Sequence, residues 1–239
     1  MTAIARYMAA LNERLAAVDV HQIERVGELI AEQIRLGNVI HVFGSGHSQL
    51  VAMEVAARAG GLASVHAIID PALAPGLPDR AGLTERLSGY AHVTGQLCDL
   101  RAGELLIVFS NSGINPVPIE FADLAKHLGL TVIAVTSRNA SEHAVSRDAS
   151  GRRLLDVADL VLDTGTPVGD TTLLAAGHPT GPVSTILAAA VFHAAVARAV
   201  EIVGEEGIEP PLLMSLNSGS NETANADVSA RFAARMRLR

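Results

Sequence analysis

The chain of 239 residues has no tryptophan, two tyrosines, one cysteine and, at Lys126, one lysine. The single cysteine, Cys98, excludes an intrachain disulfide and a multi-cysteine metal site, and is left as a small packing residue. With one lysine there is no Gly-Lys-Ser/Thr phosphate loop, and Schiff-base chemistry would rest on Lys126 alone. Aromatic residues make up 3% of the chain while apolar residues reach 49%, so the core must be built from Ala, Val, Leu and Ile. Positive charge is also short. Eighteen Lys and Arg face 25 Asp and Glu, a formal net charge of −7, which argues against nucleic acid or an anionic membrane surface as partner. An anion would have to be held by local geometry.

Near the start, Arg6, Glu13 and Arg14 break any apolar stretch, so no signal peptide is expected and a cytoplasmic location is. The longest apolar run, 183–203, contains Ser184, Thr185, His193, Arg198 and Glu201 and reads as a buried helix rather than a membrane span. The nine histidines show no His-x-x-x-His spacing, so neither a metal nor another cofactor is expected.

What is present is a strand that runs into a glycine-rich turn. Val39, Ile40, His41, Val42 and Phe43 lead into Gly44-Ser45-Gly46-His47-Ser48, and a helix follows at once. Glycines let the backbone turn sharply and approach a ligand closely. The helix start points free N–H groups at the turn, a geometry that holds phosphate. A second copy follows: a buried strand at 104–109, then Ser110-Asn111-Ser112-Gly113, then a helix from about 118 to 127. In a parallel sheet both loops leave the carboxyl ends of their strands and can converge on one ligand.

Taken in order, the spacing of apolar residues predicts helices over 4–18 and 21–36, with Gly37 as C-cap. These two could cover the sheet or form a subunit interface. A helix is expected over 49–59, a strand at 64–69, a rim loop at 72–83 and a helix over 84–97. Strands at 131–136 and 160–163 flank a polar, mobile-looking stretch at 137–153. A Gly/Thr/Pro-rich segment, 164–182, leads into the long helix, whose first turn carries Ser184 and Thr185. Residues 212–216 read as a short strand, 217–225 as a polar turn and 231–239 as a short or frayed helix. Alternating strands and helices imply a parallel sheet covered on both faces.

The two loops resemble the paired phosphosugar loops of SIS (sugar isomerase) domains. The likeness covers about residues 25–203 and extends into the tail through Pro210-Pro211 and Asn217, Glu222 and Asn225. It is similar to a bacterial SIS family related more distantly to phosphoheptose isomerase and N-acetylmuramic acid 6-phosphate etherase. The resemblance implies an α/β fold, a three-layer αβα sandwich with a five-stranded parallel sheet of flavodoxin-like winding. It implies helices at 1–37, an SIS domain at 38–209 and a tail at 210–239 that packs on it or on a neighbour. It further implies a homodimer or homotetramer that binds a sugar phosphate. The binding residues would be Gly44, Ser45, Gly46, His47, Ser48, Ser110, Asn111, Ser112 and Gly113, with Ser184 and Thr185 nearby.

Aldose–ketose isomerisation needs a base to move a proton between C1 and C2, and sugar-ether elimination needs a base and an acid. Glu54, on the helix after the first loop, is a candidate if burial raises its pKa, the bland reading being a surface glutamate. Glu85 follows the second strand's loop and is a candidate on the same terms. His178, in the loop before the long helix, could act as a mobile acid or base, whereas His193 reads as a core or interface histidine. His47 could bind a sugar hydroxyl or pack under its loop. Asp170, Glu222 and Asn225 read as solvated turn residues that could also close the site. An etherase or lyase, and a non-catalytic sugar-phosphate sensor, are the alternatives. A dinucleotide-binding protein, suggested by Gly44-x-Gly46 and Asp70, lacks the third glycine, with Gln49 in its place.

Overall fold

The computed structural model describes residues 1–76, 78–217 and 219–236. Helices α1 (Ala3–Ala16) and α2 (Val20–Leu36) precede strand β1 (Ile40–Gly44) and α3 (His47–Val55). Then come β2 (Val65–Ile68), α4 (Pro78–Thr84), α5 (Tyr90–Gln96), β3 (Leu105–Phe109) and α6 (Pro116–His127). Strand β4 (Thr131–Thr136) is followed by α7 (Arg138–Glu142), α8 (Leu154–Val157) and β5 (Leu160–Asp163). A small hairpin, β6 (Leu173–Ala175) and β7 (His178–Thr180), leads to α9 (Ser184–Glu205) and α10 (Glu222–Ala230).

Strands β1 to β5 form one sheet in the order β2-β1-β3-β4-β5, with every neighbour parallel. The central strands β1 and β3 are buried along their whole length, which is why their sequences run apolar without alternation. Successive side chains still point to opposite faces. Ile40, Val42, Leu105 and Ile107 join α2, α3 and α9 in one core, while Phe43, Leu106 and Val108 join α5, α6 and α8 in the other. Phe43 stacks on Phe121 of α6 with ring centroids 4.4 Å apart. The expected three-layer sandwich is thus the fold.

Helix α2 covers the sheet. It buries Val26, Ile30 and Ile34, starts with the Asp19 carboxylate accepting the His21 N–H and stops at Gly37 in the left-handed region, φ 66°. Helix α1 buries no residue and is tied to the loop before α9 by side chains. Arg6, Tyr7 and Arg14 donate to the carbonyls of Leu174, Pro182 and Gly165. The apolar α9 is one helix whose length and composition would suit a membrane, yet it packs Leu187, Val191, Phe192, Ala195 and Val203 into the core.

Several elements differ from expectation. The helix after the first loop stops at Val55 because Ala56 is extended and Ala57 takes a positive φ of 49°. The rim loop expected at 72–83 gives way to α4 from Pro78, and the helix expected over 84–97 is shortened to α5, which starts only after Gly89 takes a φ of 85°. The stretch 137–153 is built, not loose: Ser137 caps α7 through the Ala140 N–H, and Arg153 donates to the Ala144 carbonyl. Residues 164–182 contain the β6–β7 hairpin. Residues 212–216 give only one bridge, Leu62 to Leu212, and the tail turn becomes α10. The last helix expected, 231–239, is a run of turns to residue 236, with its end outside the described residues.

Candidate functional site

The first loop is fixed by two glycines. A Cβ on Gly44 would sit 2.4 Å from the Ser48 carbonyl oxygen, so no side chain fits. Gly46 takes a φ of 57° and donates its N–H to the Leu73 carbonyl at 2.8 Å, which binds the loop to the rim after β2. Helix α3 starts directly behind, at His47.

The second loop is held by β4. Ser110 N–H donates to the Val135 carbonyl at 3.1 Å, and the Asn111 carbonyl accepts from Ser137 N–H at 3.0 Å and Thr136 Oγ1 at 3.1 Å. Gly113, with a φ of 60°, donates to Ser110 Oγ at 3.2 Å, and its Cβ position lies 3.1 Å from Leu154 Cβ.

Between the loops lies a gap at the carboxyl ends of β1 and β3. Its polar wall is Ser48, Ser110, Asn111, Thr164, Ser184 and Thr185, and its floor includes Phe109 and Ala188. The side-chain oxygen of Asn111 is buried there without a partner. The hydroxyls of Ser48, Ser112 and Thr185 make no hydrogen bond with other described residues. The cavity is about 10 Å³, room for about one water. Thr164 was not singled out from the sequence. Its signal was available: a hydroxyl directly after the last strand, in the position that Ser45 and Ser110 occupy after theirs. Gly44, Gly46 and Gly113 shape the loops but do not line the gap, and Ser112 lies beside it in the loop.

Glu85 follows α4 and is brought against the first loop. Ser45 Oγ donates to its Oε2 at 2.7 Å. Burial raises its pKa above the usual carboxylate range, with the Ser45 hydrogen bond and the charges of Arg86 and Arg147 opposing. Arg147, also absent from the sequence reading, donates to Asn115 Oδ1 at 2.9 Å, at the start of α6.

Other candidates are placed elsewhere. Glu54 is exposed and ion-paired with Arg58, because α3 turns Val51, Ala52 and Val55 inward and leaves Glu54 on the solvent face. The burial that would have tuned it is missing. His178 is lifted into solvent by the hairpin, where it pairs with Ala175. His193 is half-buried, its Nε2 has no partner, and burial followed by the charge of Arg58 lowers its pKa. Asp170 is no solvated turn. Its Oδ1 accepts the N–H groups of Val183 (3.0 Å) and Ser184 (2.9 Å), and its Oδ2 accepts Ser184 Oγ at 2.6 Å. Asn225 pins the tail by accepting from Met214 N–H and donating to Met214 O, while Glu222 lies exposed in the first turn of α10. The Asp70 carboxylate accepts from Ala72 N–H, Tyr90 OH and Thr94 Oγ1, which ties it into the rim after β2, and the strand order is not that of a dinucleotide fold. Among the described residues no group of three or more His, Cys, Asp or Glu side chains is placed to hold a metal.

The gap opens into a larger cleft of about 600 Å³ between α1 and the start of α9. Ser184 and Thr185 belong to both, and Tyr7, His47, Asp170 and Ile186 line the wider part. His47 is exposed to this cleft and does not pack beneath its loop.

A doubly wound sheet with two Ser/Gly loops at its carboxyl edge defines the class: residues 5–137 match the SIS domain model, and the chain is an SIS domain protein. Within that class it belongs to the UPF0309 family. A UPF0309 protein of Streptomyces coelicolor is 38% identical over 231 residues, 95% of this chain and 92% of that one. Among solved structures, phosphoheptose isomerase from Neisseria gonorrhoeae is similar with a TM-score of 0.56 at 20% identity, covering 83% of this chain and 95% of that one. An Escherichia coli protein solved in complex with A5P is similar with a TM-score of 0.53 at 15% identity, covering 86% and 90%. At these identities the likeness is one of fold.

Proposed function

We propose that this protein binds a phosphorylated sugar between loops 45–48 and 110–113 and isomerises it between aldose and ketose, with Glu85 moving the proton. The observation that carries the binding is the convergence of Ser48, Ser110, Asn111, Thr164, Ser184 and Thr185 on one gap at the carboxyl ends of parallel strands. Hydroxyls and backbone N–H groups there replace the lysine and arginine that the site lacks. That a fold neighbour is a phosphoheptose isomerase and another binds A5P agrees with this reading. Glu85 suits proton transfer because burial brings its pKa closer to neutrality. The homo-oligomer expected from the sequence belongs to the proposal, since α1 leaves Ile4 and Met8 exposed. Light scattering on the purified chain tests it.

A second reading, a sugar-phosphate sensor without turnover, is favoured by the exposure of Glu54 and His178, neither of which lines the gap. Thermal unfolding against hexose, aminosugar, heptose and pentose phosphates tests the shared part. A ligand at 100 times its dissociation constant adds about 2.7 kcal/mol, or about 5–10 °C for a chain of this size. A shift with one phosphosugar and none with its unphosphorylated parent is expected. No shift with any of them overturns the site. Glu85→Gln then separates the readings: an isomerase keeps binding and loses turnover, whereas a sensor keeps binding and has none to lose.

A further inference from the structure

The cleft beside the gap has an uneven charge. Its wider part is lined by Tyr7, His47, Asp170 and Ile186, and it shares Ser184 and Thr185 with the gap. No arginine or lysine lines either part, and Asp170 is the one carboxylate among the described lining residues. That carboxylate is fixed. Two N–H groups fill Oδ1, and Ser184 Oγ fills one acceptor position of Oδ2. A carboxylate oxygen accepts more than one hydrogen bond, so Oδ2 keeps a free acceptor position. Tyr7 cannot balance the charge, because its OH donates to the Pro182 carbonyl.

We infer that Asp170 sets the charge specificity of this cleft: beside the phosphate, the ligand's other end must be neutral or carry an amine, and a second anion is rejected. The inference rests on the phosphosugar reading and adds the chemistry of the non-phosphate half. Like charges held close in a partly desolvated cleft repel strongly, whereas an ammonium between phosphate and carboxylate satisfies both. Asp170 also carries a φ of 52°, which asparagine tolerates, and an asparagine Oδ1 can accept the same Val183 and Ser184 N–H groups. Asp170→Asn therefore removes the charge while keeping the backbone.

Calorimetric titration with glucosamine 6-phosphate, glucose 6-phosphate and 6-phosphogluconate, on the native protein, Asp170→Asn and Ser112→Ala, tests this. The three probes share a six-carbon phosphate ester and differ in the charge at the far end. The native protein is expected to bind the amine at least tenfold more tightly than the acid, with the neutral sugar between. In Asp170→Asn the spread is expected to shrink to within about threefold, mainly through tighter binding of the acid. A spread that persists in Asp170→Asn, or no spread in the native protein, overturns the inference. In Ser112→Ala all three affinities are expected to fall together. If they stay unchanged, or if no probe binds the native protein, the phosphate seat itself is refuted and the inference falls with it.

Discussion

The two ends of strands β1 and β3 are built on opposite terms. At the amino end, His41, His66 and Glu104 are buried and every one is paired. His41 Nε2 meets Glu104 Oε2 at 3.1 Å, and the two histidines meet through Nδ1 at 3.1 Å. Arg235, from the chain's last turns, donates to Glu104 Oε2 at 3.0 Å and to Asp99 Oδ2 at 2.7 Å. Phe232 buries itself against Val39 and Ala63 alongside. At the carboxyl end, among the described residues, the hydroxyls of Ser48, Ser112 and Thr185 and the side-chain oxygen of Asn111 have no hydrogen-bond partner, and no arginine or lysine lines the gap. Buried polar groups cost stability unless paired. The end whose ionisable groups are all paired is structural, although Ser64 Oγ beside it is buried without a partner among the described residues, and the end that gathers unpaired groups around a gap is the candidate for a ligand.

The largest effect should come from breaking the saturated end. Arg235→Ala leaves Glu104 with one neutralising partner fewer in a buried place, and a loss of about 3 kcal/mol in unfolding free energy is expected by denaturant titration. Binding at the far end should survive in the folded fraction. Equal loss in both would mean that the two ends are not independent.

Acidity sharpens the contrast, because the ends respond with opposite sign. Burial, then the neighbouring His41 and Arg235, push the pKa of His66 from 6.5 down to about 4. The unfolded chain therefore takes up a proton that the folded chain refuses, and stability is lost as pH falls from about 6.5 towards 4. Glu104 acts the same way. Burial works against its charge, but His41 and Arg235 together outweigh that and hold its pKa low. Glu85 is the reverse. Its raised pKa gives stability at low pH that is lost as pH rises through the folded value. Glu85→Gln should thus gain stability relative to the native protein between pH 4 and pH 8, as melting curves across that range would show. A constant difference would contradict the burial of Glu85.

Ser112→Ala is expected to weaken binding of a phosphosugar about tenfold, the worth of a hydrogen bond to a charged group, with Tm unchanged. Calorimetry on the ligand selected by the melting panel measures it. The smallest effect belongs to Glu54→Gln. An exposed pair with Arg58 contributes about 0.5 kcal/mol or less, and neither Tm nor affinity should move measurably. A large loss of affinity there would return Glu54 to the site.

The sheet was legible because its strands are uninterrupted apolar runs, and both loops were legible because glycine and serine cluster directly behind them. The paired end was not. His41 and His66 meet only because β1 and β2 align residue for residue, and strand register is a tertiary fact. Thr164 was missed because, unlike Ser45 and Ser110, its hydroxyl directly behind a strand stands in no Ser/Gly cluster. The hairpin was missed because three-residue strands are too short to show alternation. Glu54 was misjudged because helical spacing tells which residues share a face but not which face is inward. His178 was misjudged because the Gly/Pro-rich segment before α9 hides a structure that carries it into solvent. Glu85 could be nominated from its place in the chain, but only the fold brings Ser45 to it.

The most direct test of the open end is an amide chemical-shift titration with a phosphosugar that shifts the melting curve. Shifts at residues 45–48, 110–113 and 184–185, absent with the unphosphorylated sugar and absent around His66 and Arg235, are the expected result. Saturable shifts confined to other surfaces, with both loops unmoved, would contradict the placement of the ligand between them.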